Sequence, residues 1–222
     1  MKPLSFSRRA WQQFGFWLFG MIFLIFNSFR RFGMQRVPWK GPLLIISNHE
    51  SVWDPPLVGI TVSRPISYMA RKTLFKNWFL GGFITRQGGF PVDLEGIGLD
   101  GIKETLKRFQ DGEAVLVFPE GTRSTTGEMR EFMKGIVLLV RKAKVPVLPF
   151  GLAGAFHAWP PKTLKPSWSP LWSSATKASL CGYAGEIIPP EKLLAMKPDE
   201  MLAYLHEQVA EARRQAYMRK RK

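Results

Sequence analysis

Residues 43–54 read LLIISNHESVWD. The four apolar residues at 43–46 are too few for a buried helix and lack the alternation of a half-exposed strand. They fit a strand covered on both faces, as in a parallel sheet flanked by helices. Ser47, Asn48 and His49 then turn polar at once, and Asp54-Pro55-Pro56 opens a helical reading with proline in its first turn. A polar loop carrying a histidine is thereby placed at the carboxyl end of a strand, where open α/β sheets gather their ligands.

The same pattern recurs downstream. Strands are expected at 43–47, 66–70, 90–92, 114–118, 146–151 and 178–188, with helices between them at 55–62, 72–85, 96–110 and 132–143. Alternation of this kind predicts an α/β fold: a single domain with a mostly parallel central sheet flanked by helices. The break at 38–42, PWKGP, divides a segment at 1–40 from this domain at 41–222. The domain is expected to close with a helix at 198–217 and the basic run Arg219-Lys220-Arg221-Lys222.

Upstream, residues 11–29 read WQQFGFWLFGMIFLIFNSF and carry no charge. As a helix they would cover about 28 Å against a hydrocarbon core of about 30 Å. The segment is expected to be a membrane-anchoring helix embedded at the interface, with a spanning helix as the alternative. A cleaved signal peptide fits least, because the apolar run ends in Asn27-Ser28-Phe29-Arg30-Arg31 without a small-residue cleavage site. Residues 156–174, FHAWPPKTLKPSWSPLWSS, form a loop rich in tryptophan, proline and lysine. It reads either as an aromatic membrane contact or lid, or as a surface segment whose tryptophans pack locally.

The chain has 222 residues, 45% of them hydrophobic, with 32 Lys+Arg against 17 Asp+Glu and a net charge of +15. Such a chain has ample material for a core and suits an anionic partner, either nucleic acid or an acidic membrane surface. No nucleic-acid motif accompanies the charge, and the charge-free segment favours the membrane. Cys181 is the single cysteine, which excludes an internal disulfide framework. No metal-ligand spacing appears, since His157 and His206 stand apart and no cysteine pair exists.

Two clusters can carry chemistry. In the first, His49 precedes Asp54 by five positions: a neutral imidazole takes a proton from an alcohol, while a carboxylate on its other nitrogen fixes the tautomer. Taken alone, Asp54 reads better as the cap of the helix it precedes than as a catalytic partner. In the second, residues 118–124 read FPEGTRS and follow the strand at 114–118. Arg123 offers a planar fork of donors for a phosphate, and Glu120 would bond a hydroxyl or hold Arg123 in place.

Over about residues 41–152 the combination resembles the 1-acylglycerol-3-phosphate acyltransferases of the glycerolipid acyltransferase superfamily. SNHESVWD is similar to their first block, with His49 and Asp54 in the catalytic positions. FPEGTRS is similar to the third, with Glu120, Gly121, Thr122 and Arg123 in the acceptor-binding stretch. VPVLPFGL at 145–152 is similar to the fourth, with Pro146 at the position associated with the acyl site. The second block departs from the pattern. After GGFPVD, where an arginine implicated in phosphate binding is usual, this chain has Leu94, leaving Arg86 and the matching early lysine, Lys72, as substitutes.

The resemblance implies transfer of a fatty acyl group from acyl-CoA or acyl carrier protein to the free hydroxyl of 1-acylglycerol 3-phosphate, forming phosphatidic acid. No cofactor is implied beyond the thioester co-substrate, and no nucleic acid. Membrane lipids and the lysophospholipid are the implied partners, at the cytoplasmic face of the cell membrane. The oxyanion would be met by backbone N–H groups near Asn48 or at a helix start. Two other readings stay open: an acyltransferase for glycerol 3-phosphate or another lysolipid, and a non-catalytic membrane lipid-binding protein.

Overall fold

The computed structural model describes residues 6–92 and 99–222. Among them seven strands form one sheet in the order β1-β7-β6-β2-β5-β3-β4. The strands are β1 (Arg30–Phe32), β2 (Leu43–Ser47), β3 (Ile66–Arg71), β4 (Gly89–Val92), β5 (Ala114–Val117), β6 (Val147–Ala153) and β7 (Cys181–Ala184). Strands β2 to β6 run parallel, whereas β7 is antiparallel to β6 and pairs in parallel with β1. The helices are α1 (Phe6–Asn27), α2 (Asp54–Val62), α3 (Trp78–Arg86), α4 (Leu99–Gln110), α5 (Gly135–Ala143), α6 (Ala155–Ala158), α7 (Pro190–Leu194) and α8 (Pro198–Arg219).

The LLII run explains the layering. All four side chains are fully buried, and alternation along the strand sends them to opposite faces. Leu43 and Ile45 pack with Phe23 of α1 and Leu57 of α2. Leu44 and Ile46 pack with Ile102 of α4, Ile136 of α5 and Leu205 of α8. Truncating any one of them to alanine removes contacts on its own face of the sheet, at a cost of about 2–5 kcal/mol.

The expected helix at 72–85 is broken in two. A 3₁₀ turn at Lys72–Lys76 precedes α3, and Asn77 separates them because its side chain accepts from Phe79 N and Leu80 N, capping α3. The helix expected from residue 96 is described from Leu99 onward.

The N-terminal segment is built into the same core. Gln12 donates to Ile66 O at 2.9 Å, and the Phe16 ring sits where a side chain at Gly59 of α2 would have to be. Gln87 also donates to Trp11 O at 3.0 Å. Arg30 and Arg31, where the apolar run ends, belong with Phe32 to β1 at the sheet edge, a strand not expected from sequence. No helix among the described residues is long and apolar enough to cross a membrane, so the spanning reading of 11–29 is set aside. The segment is apolar all round because one side meets the core while the other stays exposed as a row of large side chains, Trp17 and Phe14 foremost.

Candidate active site

Strands β2 and β5 are neighbours in register, with Ile46 opposite Val117. Carrying that pairing three residues beyond Ile46 sets His49 opposite Glu120, and His49 N indeed donates to Glu120 Oε1 at 2.8 Å. The two loops are joined again where Ser124 N donates to His49 O at 2.8 Å. Two motifs 71 residues apart in sequence are thus brought together by strand pairing alone.

The His49 ring places Nδ1 2.7 Å from Asp54 Oδ2. The same oxygen accepts from Glu50 N at 2.6 Å and Ser51 N at 2.8 Å. The Asp54 carboxylate therefore bends back over the preceding turn. It stands at the start of α2, yet it bonds residues before that helix, which is not the capping role read for it from sequence. Asp54 is fully buried and His49 keeps 19% of its side chain exposed, so the imidazole has one guarded nitrogen and one turned toward access. With Nδ1 donating to the carboxylate, Nε2 carries the lone pair and has no partner among the described residues. The ring also lies flat against Phe118, centroids 4.0 Å apart at 13°, which restricts its rotation.

Glu120 does a different job from either one expected. It is buried, Oε1 takes the His49 N–H and Oε2 takes Arg130 N at 3.0 Å, and neither oxygen touches Arg123. Burial, reinforced by the nearby Glu50 and Asp54 charges, raises its carboxyl from 4.5 to about 7 against the pull of those two N–H bonds. Gly121 takes a positive φ of 73°, a conformation that favours glycine, and turns the loop so that its N–H bonds Phe118 O. Thr122 and Arg123 follow half-buried, with no hydrogen-bond partner among the described residues.

The remaining candidates divide. Asn48 is consumed internally: its amide donates to Leu152 O at 3.1 Å and to Glu50 Oε1 at 3.0 Å, and its oxygen accepts from Leu152 N at 2.8 Å. It fastens β2 to β6 and has no freedom to meet a ligand. Lys72 is exposed just after β3, at the same carboxyl edge of the sheet as His49. Arg86 and Pro146 lie elsewhere. Arg86 ends α3 before β4 begins and stacks over the Trp11 ring at 5.7 Å, while Pro146 precedes β6 and accepts from Leu44 N. Both therefore sit at the amino edge of the parallel strands, opposite to His49, and neither is positioned as expected. Leu94 lies outside the described residues.

Sequence reasoning missed three groups here: Phe118 under the imidazole, and the pair Glu50 and Arg213, bonded at 2.9 Å. Only Arg213 left a trace. The buried positions Met201, Leu205, Val209, Ala212 and Ala216 trace one face of α8, and Arg213 stands at its border.

The carboxyl edge of a parallel α/β sheet thus presents an imidazole–carboxylate pair beside a loop that carries an arginine after a glycine turn. A family model described as Acyltransferase matches residues 29–153, and the chain belongs to that family. Among curated relatives, a 1-acyl-sn-glycerol-3-phosphate acyltransferase of Bacillus subtilis is 32% identical over 124 residues, 55% of this chain and 61% of that protein. One of Pseudomonas aeruginosa is 30% identical over 159 residues, 70% of this chain and 60% of that protein. This chain thus spans about three fifths of the length of these relatives. The crystal structure of a 1-acyl-sn-glycerophosphate acyltransferase from Thermotoga maritima has the same fold, with a TM-score of 0.74 at 22% identity over 96% of this chain and 81% of the other.

Proposed function

We propose that this protein transfers a fatty acyl group from an acyl thioester, carried by coenzyme A or acyl carrier protein, to the free hydroxyl of 1-acylglycerol 3-phosphate, yielding phosphatidic acid. The observation that carries the reading is the His49–Asp54 pair at 2.7 Å with Nε2 unpartnered, tied through His49 to the Arg123 loop. His49 Nε2 takes the hydroxyl proton as the oxygen attacks the thioester carbonyl, and Asp54 steadies the imidazolium. Collapse of the tetrahedral intermediate breaks the C–S bond, and the thiolate leaves with the proton that His49 returns. Arg123 holds the phosphate so that the hydroxyl is presented to the base.

The test is phosphatidic acid formation from lysophosphatidate with both thioester carriers, run beside glycerol 3-phosphate and other lysolipids as acceptors. His49→Ala is expected to lower kcat on the order of 10²–10⁴-fold while remaining folded. Full activity in that variant would end the mechanism. Preference for another acceptor would support the alternative that Leu94 raises, and ligand binding without turnover in the wild type would support a lipid-binding protein.

The protein is further proposed to sit on the cytoplasmic surface of the cell membrane, where thioesters are available, through residues of the first 40 acting as an interfacial anchor. The support is a row of exposed aromatics: Trp17 is 65% exposed, Trp172 70%, Trp78 86% and Phe79 70%. Ring contacts tie α1 to neighbouring segments, Phe19 with Phe83 of α3 and Phe26 with Trp168 and Trp172. Such rings prefer the headgroup boundary, and the net charge of +15 adds attraction to anionic lipid. Sedimentation with anionic vesicles should fall in a Trp17→Ser, Trp172→Ser double variant with little change in thermal stability; unchanged sedimentation would remove the anchor.

A further inference from the structure

Arg213 lies sixty residues beyond the part of the chain matched by the family model, yet its guanidinium reaches both motif loops at once. Its Nε bonds Glu50 Oε1 at 2.9 Å, and its Nη2 bonds Gly127 O at 2.5 Å. Glu50 belongs to the turn between His49 and Asp54, and its own N–H is one of those holding Asp54 Oδ2. Gly127 ends the turn that starts at Ser124, whose N–H bonds His49 O and whose Oγ accepts from Gly127 N at 3.0 Å. One planar fork therefore ties the histidine turn to the arginine loop from behind.

The clamp is itself rigidly placed. Gly151 of β6 lets the backbone of α8 come against the strand, since a side chain there would fall 2.1 Å from Ala212 C and 2.2 Å from Arg213 N. The root of Arg213 is thus set by helix–strand packing, and its head lies 4.8 Å from the Tyr217 ring centroid. On the other side, Glu50 is fully buried and is held also by the Asn48 amide at 3.0 Å. Among the described residues, Arg213 is the cation bonded to the buried carboxyl next to His49.

We infer that Arg213 is a positioning residue for acyl transfer, setting the separation between the His49–Asp54 pair and the Arg123 loop through Glu50 and Gly127. The inference rests on the acyltransferase reading for its kinetic consequence but not for its structural one. In Arg213→Met, kcat for phosphatidate formation should drop on the order of 10–100-fold with the KM of each substrate within about twofold, because misplaced groups slow the reacting step more than they weaken binding. Arg213→Lys should recover part of the loss, since an ammonium can meet Glu50 but cannot fork to Gly127 as well. Arg213→Met leaves Glu50 buried without its counter-charge, so the double variant Glu50→Gln, Arg213→Met provides a form relieved of that burden; it should fold and stay impaired.

Val209→Ala serves as the control, being a buried position of α8 that touches neither loop bond. Equal loss of kcat in Val209→Ala and in the Arg213 variants would reduce the clamp to general stability and overturn the inference. A readout that needs no substrate is the His49 ring resonance in the NMR spectrum, one of three histidine signals. It should shift or broaden in Arg213→Met and in the double variant, and hold its place in Val209→Ala. An unmoved His49 signal in a folded Arg213→Met protein overturns the positioning role. If the wild type makes no phosphatidate, the proposed function fails while this spectrum still decides the clamp.

Discussion

The loop after β2 and the loop after β5 leave neighbouring strands side by side, yet they are finished differently. In the first, Asn48, Glu50, Ser51 and Asp54 all direct their polar side chains into the protein, toward Leu152, Arg213, Trp159 O and the turn itself. Among the described residues, the outer nitrogen of His49 and the buried Asp54 Oδ1 are left without a partner. In the second, Glu120 is spent on His49 N and Arg130 N, while Thr122 and Arg123 have no partner among the described residues. Under the proposed function the contrast separates two physical tasks. A proton-transferring group needs its orientation determined beforehand, whereas a group that captures an anion needs its donors unsatisfied until the ligand arrives.

That contrast can be broken at its stronger end first. Asp54→Asn should retain much of the turn, since an amide oxygen can still accept from Glu50 N and Ser51 N. It loses the negative charge that selects the His49 tautomer and supports the imidazolium. A fall in kcat on the order of 10²–10⁴-fold is expected in the acyl transfer assay. A near-normal kcat would assign Asp54 to turn structure alone.

Arg123→Ala tests the other loop and should act on the other parameter. Losing charged hydrogen bonds worth about 1.5–3 kcal/mol raises KM for the phosphate-bearing acceptor about 10–100-fold. Its effect on kcat should be smaller, and KM for the thioester should hold. If kcat and KM respond to Arg123→Ala as they do to Asp54→Asn, the division of labour between the loops is wrong.

The smallest effect probes the joint between them. Because the Glu120 carboxyl is raised from 4.5 to about 7 in the folded protein, its contribution to folding stability is complete below about pH 4.5 and is lost as pH climbs through about 7. Glu120→Gln cannot titrate. It should be weaker at every pH, since its amide nitrogen faces one of the two N–H groups. Between pH 5 and pH 8, however, it should gain on the order of 2 kcal/mol relative to wild type in denaturant unfolding. A difference independent of pH would show that Glu120 does not titrate in that window.

Much of the sheet was legible because its signals are local. The run 43–46 announces a strand closed on both faces, and β2 falls where it was read. Residues 30–32 gave no such signal: two arginines and a phenylalanine become a strand only because β7 offers an unpaired edge. For the apolar segment at 11–29 the spanning alternative falls away, because sequence reports that a side chain is apolar without reporting whether lipid or protein meets it. Pro146 and Arg86 failed for a related reason. Motif order places residues along the chain, but strand direction decides which edge of the sheet they occupy.

By itself the sequence determined the strand and helix alternation and the family resemblance, and it singled out His49, Asp54 and Arg123 as candidates, all from short windows of spacing and residue type. Only the tertiary structure decided that Glu120 holds the backbone of His49, that Asn48 is fully occupied, and that Arg213 reaches across 163 positions to bond Glu50. Such contacts depend on which strands lie side by side and on how closely α8 approaches Gly151. Distance along the chain carries no trace of either, because long-range contacts arise from the packing of whole elements and not from any local preference.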